Sequence, residues 1–174
     1  CMSRVCASIG NSVAPISNDL FSRSVRLSEY FRGMRAAAAA ANAPMPDDSE
    51  EFVSVSFQLL SGLAEAMGSG IEPLISSLQP PGRFFQLVFS ALSDPCPEIR
   101  VHAFGVIGEL AKGCCGLVQA HLTQVFRTMN RDWGCTYFKM DANFWGAMHG
   151  ARLRDPKATR IEAYRMGMRA IVEG

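Results

Sequence analysis

A mainly α fold, made of antiparallel helix pairs with a small β/α unit appended at the C-terminus, is what this chain predicts. Three observations carry the expectation. Phe52, Val55, Leu59, Leu60, Leu63, Ala64 and Met67 recur at i, i+3, i+4 and i+7, the period of a helix with one buried stripe. Between residues 83 and 113 an apolar helix pattern, a tight Asp/Pro turn and a longer helix pattern follow one another. After Asn130, Arg131 and Asp132 the pattern changes to a short run rich in aromatic and β-prone residues.

The elements follow in order. Residues 1–48 form an unassigned leader with one helix. Its first part is rich in Ser, Asn, Gly and Pro and is expected to stay irregular. From Asn18 onward Leu20, Phe21, Val25, Tyr30, Phe31 and Met34 take up helical spacing, with Asn18 or Asp19 as N-cap. The alanines of 36–41 favour helix, and Pro44 and Pro46 should end it. Residues 49–124 hold the repeats. Acids at 47, 48, 50 and 51 suit a helix start, and Gly68 and Gly70 supply the stop. Further helices are expected over 71–78, broken by Pro80-Pro81, over 83–93, through 101–111 to Gly113, and over 117–126. Helix pairs that cannot each cover their own apolar face, joined by such turns, have the layout of a HEAT array. Residues 125–174 read as a strand over 133–140, a loop, and a closing helix. Thr159 serves as its N-cap, Glu162 completes a capping box, and Ile161, Tyr164, Met168 and Ile171 form its inner face.

Composition narrows the function. Seventeen basic and sixteen acidic residues leave a net charge of +1, so no field of one sign points to nucleic acid. The stretch 71–92 is interrupted by Glu72, Pro73, Pro80, Pro81 and Arg83, and no apolar run is long enough to span a membrane. Six cysteines and three histidines are scattered without metal-ligand spacing; no metal and no cofactor is expected, and the cysteines read as reduced, packed thiols. The Ser/Arg-rich, acid-poor residues 1–46 have some character of an organelle transit peptide, but an ordinary helix with a polar leader fits better.

Particular words carry a family resemblance. Leu59-Leu60-Ser61-Gly62-Leu63-Ala64-Glu65-Ala66-Met67-Gly68, then Pro97-Glu98-Ile99-Arg100, then Phe104-Gly105-Val106-Ile107-Gly108-Glu109-Leu110-Ala111-Lys112, resemble the transportin branch of the importin-beta nuclear transport receptors in order and separation. The resemblance implies a cytoplasmic and nuclear carrier that holds basic or nuclear-localisation cargo on a concave face and responds to the Ran GTPase. It also implies that Asp94 and Arg100 link the turns of successive repeats.

A second resemblance covers about the last 50 residues. Trp133-Gly134-Cys135-Thr136, the Lys139-x-Asp141 motif, the run from Ala142 to Gly150 and the stretch from Asp155 to Arg165 are similar to the nucleophile segment of melibiase-type retaining α-galactosidases. The resemblance implies Asp141 as the nucleophile, Lys139 as a contact to a substrate hydroxyl and Trp145 as a wall for the sugar ring. A retaining mechanism needs a second carboxyl group about 5 to 5.5 Å away. Neither Asp155 nor Glu162 matches the family's proton donor, and a closed barrel needs about 250 residues.

Two matches meeting near Gln124 read as a chimera of fragments, an unusual reading frame or an accidental likeness in one of them, and the continuity of each match favours the first two. Helix pairs satisfy one another locally, whereas a lone β/α unit leaves strand edges unpaired. The expectation is therefore a structural or protein-interaction module without catalysis, with a protein partner or cargo, self-association, no nucleic acid and no membrane. A galactoside enters only in the alternative of an α-galactosidase fragment that is inactive unless completed.

Overall fold

A computed structural model describes residues 2–137 and 156–173, and every regular element among them is helical. The chain divides into two compact units, Cys1–Cys115 and Gly116–Gly174.

In the first unit, α1 (Met2–Ile9) passes through a 3-10 turn (Gly10–Val13) into α2 (Ala14–Ala40). The leader is thus helical rather than irregular, because Cys6 and Val13 are buried and α1 packs on the helix that follows α2. Asn18 and Asp19 do not cap α2. The helix begins four residues earlier with Pro15 in its first turn, where a missing N–H costs nothing, and Asp19 pairs with Arg23 one turn on at 2.8 Å. The buried side of α2 holds Ser17, Phe21, Ser24, Val25, Ser28 and Arg35. Ser17 and Ser24 return their hydroxyls to the carbonyls of Ala14 and Leu20, which lets small polar side chains sit in a close helix contact.

After a turn containing Pro44 and Pro46 comes α3 (Ser49–Met67), with Glu50 and Glu51 in its first turn and Gly68 at φ +52° ending it. This helix occupies the middle of the unit, against α1 and α2 on one side and α6 on another. The expected stripe is consequently only half right: Leu60, Leu63 and Ala64 are buried, Phe52 and Val55 are 46% exposed, and Val53, Phe57, Ser54 and Ser56 are buried instead. A helix covered on two sides needs more than one buried row, so Ser56 within the stripe and Val53 and Phe57 beside it are drawn in as well.

A 3-10 turn (Gly68–Ile71), α4 (Glu72–Ser77), α5 (Arg83–Leu92) and α6 (Pro97–Gly113) complete the unit. Phe84, Phe85, Leu87, Val88 and Phe89 bury the greater part of α5, and Phe84 stacks on Phe21 of α2 with ring centroids 5.5 Å apart. Two helix hairpins, α2–α3 and α5–α6, lie one on the other with α3 against α6 and α2 against α5. This is the HEAT-like arrangement expected of helices with uncovered apolar faces.

In the second unit the helix expected over 117–126 is divided into α7 (Cys115–Gln119) and α8 (Leu122–Arg127), and α8 runs on into a π-helical turn (Thr128–Asp132). The strand expected over 133–140 is absent from its described part, 133–137. There the N–H groups of Trp133 and Cys135 donate to Thr128 and Met129, Gly134 takes φ +70°, and Tyr137 is 80% exposed. Backbone donors committed to the preceding helix end have none left for a ladder. The final helix, α9 (Arg160–Glu173), starts where expected. Glu162 accepts from the Thr159 N–H at 2.7 Å, a bond that holds its carboxyl below the usual range, and Thr159 Oγ1 accepts from the Glu162 N–H at 3.2 Å. Of its expected inner face, Tyr164, Met168 and Ile171 are half-buried, whereas Ile161 is 60% exposed.

Candidate protein-interaction surface

In the first unit α3 and α6 pack side by side and share one surface. Near its middle, Gln58 of α3 and Nε2 of His102 of α6 share a 2.8 Å hydrogen bond. Gln58 carries both an amide donor and a carbonyl acceptor, so it can match either tautomer of the ring by turning its amide. Beside them, Ser61 faces Gly105, whose missing side chain leaves ordinary van der Waals room between the helices.

The two hairpins are clamped at both ends. At one end Asp94, in the turn before α6, is 5% exposed and accepts from Nη1 of Arg35 at 3.1 Å to each carboxylate oxygen. Arg32 Nε lies 3.7 Å from the same carboxylate, while its remaining donors reach Leu87 and Ser90 carbonyls and the Ser90 hydroxyl. Burial, and the neighbouring Arg35, lower the pKa of Arg32, and Asp94 opposes them. Asp94 also accepts from the Cys96 N–H at 3.0 Å, which shapes the turn. Two arginines of the first hairpin therefore grip the turn of the second.

Arg100 has a different place from the one expected. Its guanidinium donates to the carbonyls of Asp94 and Pro95 within its own turn, at 2.7 and 3.0 Å. The link between repeats belongs to Arg32 and Arg35, which sequence reading passed over. Their one signal was a basic residue on the apolar face of a helix: Arg35 lies two turns from Ser28 and five from Ser17, in the row that is buried.

At the other end the chain crosses itself. A Cβ placed on Gly113 would stand 2.7 Å from Cα of Gly68, so the ends of α3 and α6 meet backbone to backbone. Cys114 donates its thiol to the Gly68 carbonyl at 3.3 Å, and burial, aided by Glu72, pushes that thiol up to about 11. Cys6, Cys96, Cys114, Cys115 and Cys135 are free thiols. Among the described residues no group of three or more His, Cys, Asp or Glu side chains is placed to hold a metal ion, and no helix is long and apolar enough to cross a membrane.

Lys139, Asp141 and Trp145 lie outside the described residues.

No family model matches the chain. It is 30% identical over 118 residues to transportin-1 of Homo sapiens and, at the same identity and length, to transportin-1 of Mus musculus. It is 26% identical over 115 residues to importin subunit beta-2 of Schizosaccharomyces pombe. Each match takes in 66% of this chain and 12% of the relative, so the chain spans about an eighth of the length of these curated relatives. The likeness supports a helical module similar to part of a transportin or importin-beta protein and brings no support to the glycosidase reading of the C-terminal segment.

Proposed function

We propose that the stacked hairpins of the first unit act as a protein-interaction module of the nuclear-transport-receptor kind, holding a protein cargo along the surface that α3 and α6 share. The observation that carries the reading is the pairing of α3 with α6 around Gln58 and His102, in a chain similar to transportins. A surface made by neighbouring second helices offers a peptide the Gln58–His102 pair, whose polar groups change donor and acceptor roles without moving the backbone. The role implied is non-catalytic, and the implied location is the cytoplasm and nucleus.

Fluorescence polarisation of labelled nuclear-localisation peptides against the intact chain tests this. Saturable binding that weakens in Gln58→Ala and His102→Ala is expected. No binding of any such peptide at millimolar concentration of the chain, with its helicity intact by circular dichroism, would leave only a scaffold and overturn the reading.

A further inference from the structure

Two cysteines follow one another where α6 ends, and they stand in opposite surroundings. Cys114 is the residue that caps α6, with φ −134° and ψ 47°, and it is 2% exposed, whereas Cys115, the first residue of α7, is exposed. Both are free thiols. The Cys114 thiol donates across to the Gly68 carbonyl at 3.3 Å, beside the place where Gly113 and Gly68 meet backbone to backbone. Gly68 directly follows the last turn of α3, so this thiol ties the ends of the two helices together.

Covalent adjacency decides which thiols can meet. Cys6 is enclosed in the core, and Cys96 lies at the other end of α6, about 27 Å from Cys114 at 1.5 Å per residue. Neighbouring Cα atoms are about 3.8 Å apart. A relaxed disulfide has its Cα atoms about 5.5 to 6 Å apart, so a bridge between neighbours is strained and readily reopened by a small thiol. Burial, then Glu72, then Cys115 itself hold the Cys114 thiol protonated, so exposed Cys115 is the first of the two to react with a disulfide in solution. Cys114 follows only by turning its sulfur out of its buried place, which leaves the Gly68 carbonyl without its donor.

We propose that Cys114 and Cys115 form a reversible thiol–disulfide switch that takes small glutathione-type disulfides and, when oxidised, loosens the meeting of α3 with α6. The Cys115 thiolate attacks one sulfur of the small disulfide, whose S–S bond breaks, and one small thiolate leaves behind a mixed disulfide. The Cys114 thiol then gives its proton to solvent and attacks Cys115 Sγ, expelling the second small thiolate. Two protein thiols are oxidised to one disulfide while one small disulfide is reduced to two thiols. Excess small thiol drives both steps backwards.

Incubation of the intact chain with glutathione disulfide at about pH 8, where an ordinary thiol begins to ionise, followed by iodoacetamide and trypsin, is the test. Cleavage after Lys112 and Arg127 isolates residues 113–127, a peptide whose only cysteines are these two. It is expected to appear unalkylated and lighter by two hydrogens. The thermal midpoint of the oxidised chain, read by circular dichroism, should fall by on the order of 5 °C and recover with dithiothreitol. Cys114→Ser keeps a hydroxyl for Gly68 and should stop at the mixed disulfide on Cys115 with its midpoint unchanged. The bridge and its midpoint shift are read on the wild-type chain, so neither depends on a variant that folds. A peptide left fully reduced, glutathione that stays on Cys115 of the wild-type chain, a bridge from either cysteine to any other, or a bridge within 113–127 that leaves the midpoint where it was would each overturn the proposal.

Discussion

Replacing Arg35 by Met tests the clamp between the hairpins, because Met preserves much of the side-chain length while removing the charge. Asp94 is 5% exposed and Arg35 7%, and the Arg35 Nη1 group contacts both carboxylate oxygens at 3.1 Å. Removing one partner of a buried pair costs about 3 to 5 kcal/mol, most of it from the charge left behind. Two features place the cost at the lower end. Arg32 remains 3.7 Å from Asp94, and the substitution also removes the Arg35 Nε–H, which has no hydrogen-bond partner among the described residues. The expected loss is therefore about 3 kcal/mol, a drop in midpoint on the order of 10 °C for a unit of this size. Urea unfolding followed by circular dichroism reads it. Asp94→Asn keeps an oxygen for the Cys96 N–H, so the double variant with Arg35→Met should lose less than the sum of the two single changes, by about 1.5 kcal/mol or more. Salt should change the coupling little, since the pair is shielded from solvent. A cost below about 1 kcal/mol for Arg35→Met, or strictly additive single variants, would show that the hairpins are held without this contact.

Other expectations follow from the same geometry. Gly113→Ala forces a methyl group into the Gly68 backbone, and because neither partner is a side chain that can turn aside, a loss of about 1 to 3 kcal/mol is expected in the same unfolding experiment. The Cys114 thiol is raised from 9.0 to about 11, so the unfolded chain gives up its proton first as pH rises. The stabilisation from the neutral, buried thiol is complete below pH 9 and fades towards pH 11, and Cys114→Ala should flatten that part of the stability profile relative to wild type. Iodoacetamide at pH 8 should modify exposed Cys115 well before Cys114, and equal rates would contradict the burial assigned to Cys114. With p-nitrophenyl α-galactoside, neither the chain nor Asp141→Asn is expected to release nitrophenol; activity that Asp141→Asn abolishes would favour the glycosidase alternative.

Local chemistry made several elements readable in advance. The start of α3 after the acids, its end at Gly68, the α5 and α6 helices around the Asp94 turn, and the Thr159–Glu162 capping box each depend on residues within one or two turns of one another. Most of the misreadings share one cause. The helical leader, the exposed Phe52 and Val55 and the buried serines of α2 and α3 were decided by what lay across from them, whereas the strand over 133–137 gave way to hydrogen bonds back to the preceding helix end. The α3–α6 surface was legible as apolar helix pairs, but the Gln58–His102 contact joins residues 44 positions apart and has no local signature.

Periodicity, helix stops and the turn at Asp94 determined, from sequence alone, that the chain would form paired helices with faces needing neighbours. Only the tertiary structure decided that α3 would be the middle helix, that Arg32 and Arg35 rather than Arg100 would bind across to Asp94, and that Phe52 would remain at the surface. The physical reason is range. Backbone hydrogen bonds and caps are settled within a few residues, whereas burial and the pairing of buried charge depend on which surfaces meet after the helices have formed.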